Sequence, residues 1–141
     1  MEERKGFAIE GKYADAGPSV VIEDDGRVGY AYFLSKSGAI VGDVWLYNRC
    51  KAPLSPEWTD RSKTPFANPA GFTNEERFEP PDTPGELDIR WANSPSGPRA
   101  GIYLRELLIA ELAEGLKPGF ALAASKDGPL AMVLRTAGDA D

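Results

Sequence analysis

The sequence predicts a β-rich α+β domain: an antiparallel meander sheet, a long proline-rich ordered loop and one C-terminal helix. Three observations lead there. Apolar and polar residues alternate with period two over residues 6–48, between the turn dipeptides Gly17-Pro18, Asp25-Gly26 and Ser37-Gly38. Nine of the 12 prolines fall between residues 49 and 100, which blocks regular structure over most of that stretch. Leucines then recur near helical spacing from Ile102 to Glu114, in a segment rich in good helix formers.

The meander divides into four strands. Phe7 and Ile9 alternate with Glu10 and Lys12, and Ser19 to Glu23 follows the first turn. Asp25-Gly26 is the strongest hairpin signal, because its tight turn needs positive φ. Val28, Tyr30, Tyr32 and Leu34 share a face of the third strand. The fourth, Ala39 to Asn48, sets Ile40, Val44 and Leu46 against Val41, Trp45 and Tyr47. It is apolar on both faces apart from Asp43, so later chain is expected to cover its second face.

Through the middle region recur Trp58, Phe66, Phe72 and Phe78, where a disordered linker would be poor in aromatics. The expectation is an ordered loop with Trp58, Phe66 and Phe72 at least half buried, since each ring buries a large apolar area. Only Glu86 to Trp91 alternates like another strand. Beyond it, the leucine spacing and Gly115 with Pro118 favour a helix over residues 102–114. The rival is a hairpin pairing Gly101 to Arg105 with Leu108 to Ala113. Phe120 to Ser125 and Leu130 to Arg135 then flank Lys126-Asp127-Gly128 as a closing hairpin, and residues 136–141 form a frayed polar tail. The 141 residues read as one domain without internal repeats.

Composition removes more chemistry than any motif supplies. There is no histidine, so Ser-His-Asp and Cys-His catalysis and imidazole-bound zinc are out of reach of this chain. The single cysteine, Cys50, forms no intrachain disulfide, which suits a reducing compartment. Arg49 beside it could lower its pKa, but no base accompanies the thiol. No metal and no cofactor are expected. The net charge of -6 argues against nucleic acid as a partner. No apolar run reaches membrane-spanning length and the N-terminus lacks a secretory pattern, so the expected location is the cytoplasm.

Carboxylate pairs could still support acid–base chemistry. Asp43 is the leading candidate, with Glu10, Asp88 or Glu106 as partners if their strands adjoin. The plainer reading pairs Asp43 with an arginine such as Arg49 or Arg90. Glu23-Asp24-Asp25-Gly26 lacks calcium-loop spacing and reads as a turn. The Pro-x-x-Pro segments at residues 53–56, 81–84 and 95–98 match polyproline ligands only as loosely as any proline-rich loop does. Arg49, Arg61, Arg77, Arg90 and Arg99 punctuate the aromatic region, a combination enriched at binding hot spots.

Val44 to Asn48, Lys117-Pro118-Gly119-Phe120 and Lys126 to Ala131 resemble segments of small uncharacterised bacterial proteins. Proteins of this size and acidity include immunity proteins that neutralise toxins, and the resemblance implies such a source. The leading expectation is a non-catalytic protein acting by protein–protein contact, with a basic partner. Candidate binding residues are Asp43, Trp45, Tyr47, Arg49, Trp58, Phe66 and Trp91. Two alternatives stand beside it: a small carboxylate-based enzyme, and a ligand-binding module with an aromatic pocket under the long loop.

Overall fold

Nine strands in two sheets account for the regular structure of the described residues, 6–74 and 76–135, in a computed structural model. The first sheet is an antiparallel meander of β1 (Phe7–Lys12), β2 (Ser19–Asp24), β3 (Val28–Leu34) and β4 (Ile40–Asn48). Its β2–β3 turn is closed by side chains. The Asp25 carboxylate accepts from the Arg27 and Val28 amides at 2.8 Å, and Gly26 takes φ 88°. Phe7, Ile9, Val20, Ile22, Ala31 and Phe33 fall on one face by register, and that face carries the core.

The second sheet runs β5 (Leu87–Ser94), β6 (Gly97–Leu104), β7 (Leu107–Ala113), β8 (Phe120–Ala121) and β9 (Met132–Val133) in spatial order. Ile89 of β5 packs its side chain over Gly11 of β1. On the other side β4 is not a free edge, because later chain continues its ladder. Gly115 N donates to Val41 O at 2.7 Å, Asp43 N to Leu116 O at 3.0 Å, Gly119 N to Asp43 O at 2.7 Å and Trp45 N to Leu130 O at 2.9 Å. These bonds join the two sheets through backbone as well as side chains.

The helix expected over residues 102–114 is absent; this segment is the β6–β7 hairpin. Its two-residue turn, Arg105-Glu106, has φ 48° and 71°, the positive values that a tight hairpin demands of its central residues. The misleading spacing has a physical origin. Ile102 pairs with Ala110 but Tyr103 pairs with Leu108, so Ile109 is an extra residue in a β-bulge. That insertion shifts the apolar period from two towards helical spacing. Ile102, Leu104, Ile109 and Leu112 are all at most 1 % exposed. A lone 13-residue helix would gain little by itself, and sheet burial overrides its propensity.

The closing hairpin is also corrected. β8 and β9 pair in parallel, Phe120 with Met132 and Ala121 with Val133, so the chain between them crosses over. Lys126-Asp127-Gly128 belongs to that crossover, and Asp127 Oδ1 accepts from Val133 N at 2.8 Å.

The long loop is held at its rings and at its backbone. Trp58 and Phe72 meet edge to face at 5.6 Å, and Trp58, Phe66 and Phe78 pack partly buried against the core. Buried Glu57 accepts from Ala67 N at 2.9 Å and pairs with Arg27. Asn74 N donates to Ala123 O at 2.7 Å and Ser125 N to Phe72 O at 2.9 Å, which stitches the loop to the segment after β8. Three 3-10 turns, Arg61–Lys63, Ala70–Phe72 and Pro84–Glu86, are the helical structure among the described residues. The charged start at residues 1–5 and the polar tail at 136–141 lie outside the described residues.

Candidate functional site

One cross-strand row organises the site. Asp24, Gly29 and Tyr47 stand in register across β2, β3 and β4. Between Tyr30–Trp45 and Gly29–Tyr47 the register shifts by one, with Leu46 as the extra residue. The expected common facing of Trp45 and Tyr47 therefore fails. The bulge turns Tyr47 over Gly29, where an added Cβ would stand 2.3 Å from the ring. A glycine at 29 lets the ring lie across the strand and its hydroxyl reach Asp24.

Asp24 is 1 % exposed and fully occupied. Its Oδ2 accepts from Tyr47 Oη at 2.7 Å and from Arg49 Nε at 2.7 Å, while Oδ1 accepts from Gly26 N at 2.8 Å. Arg49 also donates to Pro81 O and lies 5.5 Å from the Tyr47 ring centroid. Burial first, and the Asp24 carboxylate second, push the Tyr47 phenol far above its usual range. A phenol so held neither donates nor takes a proton at neutral pH. The trio is a paired, hydrogen-bonded buried charge that fixes the back wall of the site.

Asn48 fixes the side wall. Its Oδ1 accepts from Trp45 Nε1 and from Asn68 N, each at 2.9 Å, and its Nδ2 donates to Asn68 O at 2.9 Å. The strand end and the loop are thereby joined by one side chain.

Between these walls opens a cleft of 330 Å³, within the range of small-ligand sites. The rings of Trp45 and Tyr47 are at most 2 % exposed, so only their edges form its floor. The reachable lining is Cys50, Phe78, Pro80 and Ala123 on the apolar side, with Lys51, Thr73 and Asn74 as polar groups. Burial pushes the Cys50 thiol up, more than the nearby Arg27 lowers it, so the thiolate is disfavoured. Among the described residues the lining contains no carboxylate, and no cluster of three potential metal ligands occurs.

Of the candidate residues read from sequence, Trp45, Tyr47 and Arg49 come together here. Asp43 does not. It pairs across the strand with Tyr32, and Lys117 is the cation near it. Neither arginine proposed for it is available: Arg49 holds Asp24, and Arg90 holds Asp88 and Glu106 on the second sheet. Trp58 is taken up by Phe72, and Phe66 packs on the core. Trp91 sits towards the opposite end of β3, between Tyr13 and Phe33, with its indole N–H buried and unpartnered. Sequence reasoning missed Asp24, Lys51, Thr73, Asn74 and Phe78 as site residues. Asp24 carried a signal, since it continues the buried alternation of Val20 and Ile22.

No family model, curated protein or solved structure matches the chain. The site's own chemistry therefore carries the functional argument.

Proposed function

We propose that the protein is a non-catalytic binding module that takes a small organic molecule in the cleft between β4 and the long loop. The observation that carries this reading is the lining: a pocket with apolar walls at Phe78, Pro80 and Ala123, polar groups at Lys51 and Asn74, and no carboxylate among the described residues. A carboxylate enzyme needs two acids converging on one space, and Asp24, the acid behind Tyr47 and Arg49, spends its acceptors on Tyr47, Arg49 and Gly26. Rigid walls support binding, because the pocket exists before the ligand arrives. One observation favours contact with another protein: Leu54, 90 % exposed, stands between two prolines in the loop.

The test is amide chemical-shift mapping of the full chain with indole, benzoate and adenosine as probes. The expected result is that at least one probe moves the Cys50, Lys51, Asn74 and Phe78 amides. Phe78→Ala should weaken that binding without changing the unfolding midpoint by more than a partly buried ring requires. Shifts from every probe that are absent, or scattered over the surface, would overturn the reading.

A further inference from the structure

The first sheet buries one face in the core, and its other face is built differently. Across β1 to β4 that face presents two rows in register: Ala8, Glu23, Tyr30 and Trp45, then Glu10, Val21, Tyr32 and Asp43. Trp45 and Tyr30 are buried, Glu23, Val21, Tyr32 and Asp43 are partly exposed, and Ala8 and Glu10 are exposed. At the centre the Tyr30 and Tyr32 rings lie 5.4 Å apart, tilted by 31°. Tyr30 is only 7 % exposed, yet its hydroxyl has no hydrogen-bond partner among the described residues. Burial first, then Asp43 and Tyr32, push this phenol up, so it stays neutral beside them.

Carboxylates flank the pair, Glu23 opposite Tyr30 on β2 and Asp43 opposite Tyr32 on β4. Glu10, Glu23 and Asp43 make no salt bridge or side-chain hydrogen bond among the described residues. The nearby cations are Lys12, two residues past Glu10 on β1, and Lys117, which bears on Asp43. Neither closes an ion pair, and burial pushes the Asp43 carboxyl up despite Lys117. Asp25, whose charge also reaches Tyr32, is spent on the amides of its turn. Other rings receive cations from this chain: Arg49 lies over Tyr47, Arg90 over Tyr103 and Lys126 over Phe72. No cation among the described residues lies over Tyr30 or Tyr32.

The chemistry of an occupant follows from this spacing. No three acids converge as metal ligands among the described residues, so the face suits separate organic cations. Glu23 and Asp43 stand two strands and one two-residue step apart, roughly 12 Å in a regular sheet. One guanidinium cannot span that distance. We infer that this face docks a basic protein segment that brings two arginines, one to Tyr32 and Asp43 and one to Glu23. Arginine fits better than lysine, because its planar group stacks on a ring while donating to a carboxylate and to the Tyr30 hydroxyl. The net charge of -6 favours the approach of such a partner.

The experiment titrates the full chain with a capped Arg-Ala-Ala-Ala-Arg pentapeptide, whose arginines lie about 13 Å apart when extended. The same peptide with lysines, and with glutamines, serves for comparison. The arginine peptide should move the Glu23, Tyr30, Tyr32 and Asp43 amides, leave Cys50 and Phe78 unmoved, and weaken as salt is raised. The lysine peptide should bind several-fold less tightly, and the glutamine peptide not at all. Glu23→Gln with Asp43→Asn should weaken the arginine peptide about tenfold or more, against less than about twofold for Asp15→Asn with Glu114→Gln. That second pair removes the same charge from exposed acids outside the two rows, and urea midpoints confirm that both variants fold. Tyr32→Leu should bring the arginine peptide down to the lysine level. Shifts that are absent, centred on the cleft or scattered over acidic surface would overturn the inference. So would equal losses in the two double variants, or a lysine or glutamine peptide that binds as tightly as the arginine one.

Discussion

Asp24 and Asp43 lie in neighbouring parts of the first sheet, one at the end of β2 and one in the middle of β4, both among apolar residues. Asp24 is the more deeply buried, yet three donors meet its two oxygens, one of them the Arg49 guanidinium that pairs with it. Asp43 is only partly buried, but no donor reaches its carboxylate among the described residues, and burial pushes its carboxyl up while Lys117 opposes the shift. Around it, burial and then the charges of Glu23, Asp43 and Asp25 push the Tyr32 phenol to about 12. The contrast teaches that depth alone does not describe a carboxylate's surroundings: donors meet both oxygens of the deeper Asp24, whereas the shallower Asp43 meets burial without them among the described residues.

The strongest way to break the comparison is Asp24→Ala. It leaves the Arg49 guanidinium, itself largely buried, without its partner. The expected loss is about 3–5 kcal/mol in urea unfolding, the usual result of orphaning a buried charge. A loss near zero would mean that water reaches Arg49 freely. Next comes Gly29→Ala, which drives a methyl into the Tyr47 ring and should cost about 1–3 kcal/mol by overpacking. It should also loosen the Tyr47–Asp24 bond, visible as a changed tyrosine absorbance spectrum.

The smallest effect belongs to Asp43→Asn. The folded protein raises this carboxyl above its ordinary 3.8, so folding favours the protonated form. Its contribution to stability is complete below that ordinary value and is lost as pH rises through the folded pKa. The asparagine variant keeps the neutral form at every pH. It should match or exceed the parent at pH 7 by less than about 1 kcal/mol, since a half-exposed carboxylate is well screened. Comparing urea midpoints at pH 3 and pH 7 checks the sign: the difference between variant and parent should grow with pH.

Legibility divides along the same lines of force. Period-two alternation and the Asp25-Gly26 and Ser37-Gly38 turns made β1 to β4 readable, because one buried face imposes its pattern on each strand. The rings of the middle region marked an anchored loop for a similar reason. Segment 102–114 misled because one bulge residue, Ile109, broke the alternation where propensity already favoured helix. The parallel pairing of β8 and β9 left no local trace, since two-residue strands are too short to carry a period.

At the site, Trp45, Tyr47 and Arg49 were readable as residue types suited to binding, while their grouping was not. Tyr47 reaches Asp24 only because a bulge at Leu46 and a bare Gly29 turn its ring. Lys51, Asn74 and Ser125 are polar residues of ordinary appearance, far apart along the chain, and only the crossing of the loop with the segment after β8 makes them neighbours.

By itself, then, the sequence determined the strands of the meander and ruled out histidine chemistry, since alternation and composition are local and need no knowledge of contacts. Tertiary structure alone decided that residues 102–114 are a hairpin, which aspartate is buried with partners, and where the cleft opens. Each of these depends on which surfaces meet, and burial energies exchanged between distant segments outweigh the fractions of a kcal/mol that local propensity supplies.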